Sequence, residues 1–267
     1  MFGEKLMDCL IHKTLKIMKK IILFTSGMFL LVNHVLPQEP GSHNHILNFN
    51  YLQLKDEMNY GLVFRGGGIS YAFTNQWQND RSGVCYEALL GLTYMQTRTV
   101  PAANLHIRPA KICYLFKGVY GSNLMTGPFF LADYNYQFYP DLHSGHSLWF
   151  THIGLGGMVQ YDQTIGRHRL SFSMSTSLFG LTSRQPVYHD PYFWDLSAGD
   201  IVKYFHRDLG FGSWNEYNCS ELEIRWLPSE NSRIIFSYEV DIMGYFRAPG
   251  LTVVNQSIKL IFQPKSK

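Results

Sequence analysis

Residues 169–178 read Arg-Leu-Ser-Phe-Ser-Met-Ser-Thr-Ser-Leu. In an extended chain Arg169, Ser171, Ser173, Ser175 and Ser177 fall on one side, and Leu170, Phe172, Met174, Thr176 and Leu178 on the other. Successive side chains of a strand point to opposite faces, so this segment is a strand with one polar and one apolar face. The pattern recurs between polar turns from about residue 46 to Phe262.

Period-2 stretches bounded by turn residues predict ten strands, at 45–55, 61–76, 83–97, 104–118, 126–138, 147–161, 167–182, 215–227, 232–247 and 251–263. No comparable helical period is present. Three stretches show the apolar face plainly: Val84, Tyr86, Ala88, Leu90, Leu92 and Tyr94; Phe130, Ala132, Tyr134, Tyr136 and Phe138; Ile234, Phe236, Tyr238, Val240, Ile242 and Phe246. Gly66, Gly67 and Gly68 interrupt the second stretch and predict a bulge or a close backbone approach. They are not a phosphate-binding loop, because no helix follows and no Lys-Ser or Lys-Thr pair closes it.

Alternation alone also fits a soluble sandwich, so strand length has to decide. Strands of soluble domains average about 5–6 residues. Many stretches here run well past that, as a tilted strand must when about 9–11 of its residues cross hydrocarbon. Small residues on the polar face, Gly154, Gly156 and the row Ser171 to Ser177, suit a crowded lumen better than bulk water. The expected fold class is all-β, a transmembrane antiparallel up-and-down barrel of about ten strands. An even count puts both termini on one side, leaves short turns there, and sends the long connection 183–214 to the other, as in bacterial outer-membrane barrels.

Composition agrees with this reading. Of the 267 residues 15% are aromatic and only 16% charged, against about 25% charged in ordinary soluble chains. The formal charge of +3 comes with no basic run after residue 38, which argues against nucleic acid as a partner. Met18, Lys19 and Lys20 precede an apolar run from Ile21 to Val32, the n-region and h-region of a secretory signal peptide over residues 1–38, with Met18 a candidate start. Residues 39–267 then form the barrel. Cleavage is expected near residues 36–40, although Val35 to Gln38 lack small residues at the usual spacing and leave an uncleaved anchor open. Cys85, Cys113 and Cys219 follow that segment, an odd count without metal-type spacing. Cys85 and Cys113 fall on neighbouring strands, so a bridge between them stays open beside three free thiols.

The final strand ends in Ile258, Leu260 and Phe262 with Ser257, Lys259 and Gln263 between. This resembles the C-terminal assembly signal of outer-membrane barrels, although five residues follow the aromatic. Over residues 45–263 the chain resembles the small outer-membrane β-barrel proteins of Gram-negative bacteria. The resemblance implies an outer-membrane location, lipid of that membrane as surroundings, and insertion by the barrel assembly machinery. It implies no activity, because barrels of this size serve as adhesins, enzymes, narrow channels and stabilisers.

A ten-stranded barrel is only slightly wider than eight-stranded ones whose interiors are filled by side chains. Glu87, Asp133, His152, Arg169, Glu223, Arg233, Glu239, Asp241 and Lys259 are expected in the lumen, with Lys111, Lys117, Glu221, Arg225 and Arg247 also inward. Charges so placed must pair or hydrate. They either plug the barrel or line a narrow path for ions or solutes. The long connection carries Tyr188, Tyr192, Phe193, Trp194, Tyr204, Phe205 and Trp214, and is expected either to cap the mouth or to present a surface for a ligand or protein.

Outer-membrane phospholipases and lipid A deacylases are similar in size and use a His-x-Ser pair on one strand face. No His here has a Ser two positions later. Asp141, His143, Ser144 and His146 are the nearest set that could supply a nucleophile and base. His189, Asp190 and Asp195 echo only partly the Asp pair and Asp-His pair of ten-stranded aspartyl proteases. The histidines at 143, 146, 189 and 206 match no compact metal site, and no cofactor motif is present.

Overall fold

The computed structural model describes residues 42–78, 82–98, 100–118, 123–141, 146–184, 197, 199–200, 203, 206–207, 209–229 and 232–263. Eleven strand segments follow one another: β1 (Ser42–Asp56), β2 (Val63–Gln78), β3 (Ser82–Thr97), β4 (Val100–Lys117), β5 (Leu124–Tyr139), β6 (His146–Ile165), β7 (His168–Arg184), β8 (Gly210–Ser213), β9 (Tyr217–Leu227), β10 (Ile234–Tyr245) and β11 (Leu251–Phe262). Each pairs antiparallel with its chain neighbour, except that β8 and β9 both pair with β7 and together make a single stave. The first strand pairs with the last from His45–Phe262 to Asp56–Leu251. The sheet is therefore closed into a ten-staved barrel without free edges, the arrangement that satisfies every ladder group within the protein.

The ten predicted strands are all present. Serine and apolar faces of β7 lie as the alternation requires: Ser175 and Ser177 are buried, while Phe172, Met174 and Leu178 are exposed. Around the wall the exposed large residues include Phe49, Ile69, Leu92, Tyr114, Val159, Leu222, Ile242 and Ile258. Ile69 and Ile258 keep 58% and 57% of their surface open. So wide an apolar belt does not occur on a soluble monomer. It is the lipid-facing band of a transmembrane barrel.

Two staves change phase part-way, and each change has a local cause. In β4 the register slips between Ile107 and Ala110, at Pro109, which has no N–H to give the ladder. Inward positions are Asn104, His106 and Arg108 before the slip and Lys111, Cys113 and Leu115 after it. In β7 the slip falls at Leu178, so both Leu178 and Phe179 face outward and Gly180 and Thr182 turn in. Gly66 to Gly68 hold no bulge. The β1–β2 ladder runs through them unbroken, and a Cβ on Gly66 would stand 1.8 Å from the Tyr94 carbonyl oxygen. They are a close approach of β2 to β3.

The termini share one end, where Ser42 pairs with Gln76 and Phe262 with His45. At that terminal end the connections are 79–81, 118–123, 166–167 and 228–233; the long one, 185–209, leaves the opposite, loop end. Arginine in place of Met174, outward and 55% exposed, should cost ~2–4 kcal/mol in a lipid-inserted barrel. Urea unfolding from liposomes measures it. A cost near zero would mean that this face meets water.

Candidate functional site

The lumen is layered along its axis. At the loop end the inward positions are apolar: Leu54 of β1, Phe64 of β2, Met95 of β3, Tyr139 of β5, Phe150 of β6 and Leu251 of β11 are each at most 2% exposed. The rings of Phe64 and Tyr139 meet edge to face at 4.9 Å, and those of Phe150 and Tyr217 stack at 5.3 Å. Above them Arg184 pairs with Asp56, donates to the Pro249 carbonyl and lies against the Tyr245 ring. This is a hydrophobic core built inside a barrel from strand-borne side chains.

Below it lies a buried ion-pair network centred on Arg108, which is 3% exposed. One guanidinium nitrogen stands 2.9 Å from Glu221 and 3.2 Å from Glu87; the other stands 3.6 Å from Asp133 and 3.8 Å from Asp241. Lys111 pairs with Glu221, Lys259 with Glu239 at 2.5 Å and Glu223 at 3.6 Å, and Arg225 with Glu223 at 2.6 Å. The strands place these groups by register, since Glu87 faces Lys111 and Glu221 faces Asp241 across neighbouring strands. Among the described residues the network sets Glu87, Asp133, Glu221, Glu223, Glu239 and Asp241 against Arg108, Lys111, Arg225 and Lys259. Hydroxyls help the acidic side, Ser237 donating to Glu223 at 2.7 Å and Ser175 to Glu221 at 3.3 Å. His106 meets Asp133 at 2.5 Å, a contact that needs a proton between the two atoms.

Two small cavities lie among the described lumen residues. A cavity of about 20 Å³ beside Asn50, Asn104, His106 and Asp133 lies above the network, and one of about 30 Å³ beside Glu87, Lys111, Ser173 and Arg225 lies within it. Each has room for a water or two. His152, fully buried, stacks on Tyr217 at 3.9 Å, and the cross-strand pair Gly154 and Gly180 makes room for its ring. A Cβ on Gly154 would fall 2.2 Å from the imidazole Nε2. Neither ring nitrogen has a hydrogen-bond partner.

Of the expected lumen charges, Glu87, Asp133, His152, Glu223, Glu239, Asp241 and Lys259 are inside and buried or nearly so. Two are not. Arg169 sits at the terminal rim, 51% exposed at its side chain and paired with Asp162 at 2.6 Å. Arg233 is exposed in the turn before β10, because that strand starts one residue later. Lys117 is exposed at the strand end, and Arg247 lies beyond β10, where it binds Glu216 at 2.6 Å and the Phe211 carbonyl at 2.9 Å. That hydrogen bonding holds the Glu216 carboxyl below the usual carboxylate range. Arg108, the hub, was missed by a single-phase reading of its strand; Pro109 is the signal for the slip that turns it inward.

Cys85 and Cys113 are directly opposed across β3 and β4, and both thiols are free. Asp141 is exposed in the turn after β5, and His146 opens β6, while His143 and Ser144 lie outside the described residues. So do Tyr188, Tyr192, Phe193, Trp194, Tyr204 and Phe205, together with His189, Asp190 and Asp195; Trp214 is described and 54% exposed. The described part of the long connection runs over the outer wall. His206 bonds the outward Tyr134 hydroxyl at 2.9 Å, and the Arg207 carbonyl accepts from Ser183. Outward-facing Ser147, Trp149 and Thr151 of β6 are buried there.

In architecture the chain is a closed transmembrane β-barrel, a cylinder with an apolar belt outside and a layered lumen inside. No protein-family model and no curated protein matches its sequence. Solved structures similar to it include the translocator domain of autotransporter NalP from Neisseria meningitidis, with a TM-score of 0.46 and 8% identity over 87% of this chain and 92% of that chain. The outer membrane protease OmpT from Escherichia coli aligns with a TM-score of 0.45 and 9% identity over 86% of this chain and 99% of that chain. At such values no activity of a neighbour transfers.

Arg108→Met should destabilise the barrel by ~3–5 kcal/mol, the range for removing one partner of a buried pair. Adding Glu221→Gln should recover part of that loss, because the residual charge is then smaller. Urea titrations of the single and double variants in lipid provide the comparison; strictly additive losses would show that the two groups are not coupled.

Proposed function

We propose that this protein is a closed outer-membrane scaffold, which meets a ligand or partner at the cell surface through its loop end and does not conduct solutes. The observation that carries the reading is the filled lumen. An apolar layer and a paired-charge layer lie in series, and the two cavities beside the charges have volumes of about 20 and 30 Å³. Charges that neutralise one another across the lumen are poor stepping stones for an ion, because each is already engaged. The described part of the long connection leans on the outer wall through His206 and Arg207.

Loops carried on a rigid scaffold are where binding residues concentrate. The connection 185–209 contains Tyr188, Tyr192, Phe193, Trp194, Tyr204 and Phe205, side chains that give large contact area at low entropy cost. Ligand contact through them belongs to this proposal. Of the lipid-hydrolase alternative, His143 and Ser144 lie outside the described residues.

Purified barrel in a planar bilayer should give flat current traces, and trypsin added to intact cells should cut the connection at Lys203 or Arg207. Resolved unitary steps would replace the scaffold by a narrow channel. Cleavage restricted to opened cells would reverse the orientation and remove the surface role.

A further inference from the structure

The outer wall of β1, β2 and β3 carries a notch that the lumen and the long connection do not account for. Gly67 faces outward, and its cross-strand partner on β1 is Tyr51. The β2–β3 ladder runs from Arg65–Gln96 to Gly68–Thr93, which sets Gly67 opposite Tyr94 on the other side. Tyr51 and Tyr94 are 48% and 58% exposed. Two aromatic walls therefore stand over a floor without a side chain. A Cβ on Gly67 would find no atom nearer than the Asn50 carbonyl oxygen at 3.8 Å, so the missing side chain leaves open space and is not demanded by packing.

The notch lies at the border of the lipid-facing belt. One step toward the terminal end the outward residues are Phe49, Ile69 and Leu92, all exposed and apolar. One step toward the loop end they are Gln53, Arg65 and Gln96, linked across the strands by register. Lys55 stands above Gln53, and Arg98 lies in the turn after β3. Lys55, Arg65 and Arg98 are exposed, and among the described residues none of them pairs with a carboxylate. The nearby carboxylates are already engaged: Asp56 is inward and paired with Arg184, and Glu57 accepts from the Gly250 amide at 2.5 Å.

Three unpaired cations above a tyrosine-walled dent, with bare hydrocarbon surface beneath, call for an amphiphile of opposite charge. We propose that this face binds a phosphate-bearing lipid of the leaflet at the loop end. Its headgroup phosphates lie against Lys55, Arg65 and Arg98, its sugar or glycerol backbone sits over Gly67 between Tyr51 and Tyr94, and an acyl chain runs down past Ile69. Arginine holds phosphate through two parallel N–H donors, which suits Arg65 and Arg98 to this role. Near a membrane surface exposed lysine and arginine side chains attract anionic lipid. The site is independent of the loop-end reading above, since it faces the bilayer sideways.

The test uses full-length barrel in phosphatidylcholine nanodiscs, with fluorescent bisphosphorylated lipid A as the probe. Wild-type protein should retain the probe, and the triple variant Lys55→Gln, Arg65→Gln, Arg98→Gln should weaken retention at least tenfold. Gly67→Trp, which fills the dent without changing charge, should weaken it as well. Arg247→Gln, an exposed cation already paired with Glu216, should not. The heat-dependent gel shift of folded barrels confirms that each variant is folded before it is scored. Equal retention by the triple variant overturns the proposal, as does equal retention of a phosphatidylcholine probe. Full displacement by inorganic pyrophosphate also overturns it, because the site would then recognise a soluble phosphate and not a lipid.

Discussion

In hydrocarbon an unpaired backbone N–H or C=O has nothing to bond, so the pairing of β1 with β11 is the constraint on which the rest depends. Because the first and last strands meet antiparallel, the number of staves is even and both ends of the strand run lie at one end of the barrel. Every stave then has one face in lipid and one in a narrow tube. The inside and the outside face opposite solvents, and a one-residue error exchanges them. That is why the period-2 signal from Arg169 to Ser177 carries so much: it states which side of the wall each residue joins.

The same constraint explains the charges. A tube of ten staves is too narrow to stay wet along its length, so ionisable groups turned inward must find partners. Arg108 answers four carboxylates at once, with its guanidinium nitrogens 2.9–3.8 Å from Glu87, Asp133, Glu221 and Asp241. Those four come from four different strands, β3, β5, β9 and β10, so the arginine ties opposite walls of the barrel together. The phase slip at Pro109 is what delivers it. Without that slip Arg108 would point into lipid, where a cation at mid-bilayer depth costs ~2–4 kcal/mol.

Fold and lumen were legible in the sequence to different depths. Strand number, closure, the position of the long connection and the facing of Cys85 and Cys113 strands followed from alternation and turn spacing, because those are local and periodic. Arg108 did not follow, since alternation read through a proline keeps its phase while the chain does not. Arg169 and Arg233 were placed inside because a strand end can be located only to a residue or two, and at a rim that error moves a charge into water. The apolar seal was hidden for another reason. Leu52, Leu54 and Phe64 are hydrophobic residues facing inward, and in a barrel reading every hydrophobic residue is first assigned to lipid.

That seal also decides how the two ends of the molecule differ. Apolar side chains inside the barrel exclude water at the loop end, so Arg184 and Asp56 above them are cut off from the charge network below. On the terminal side of the network Arg225 keeps 25% of its side chain exposed and Arg169 51% of its own. A pathway would need both the seal and the ion pairs to open together, and they are built from different forces: one strengthens as water leaves, the other pays for losing it. Salt or a charge substitution acts on the ion pairs and leaves the apolar layer in place, while a cavity in the apolar layer leaves the ion pairs in place.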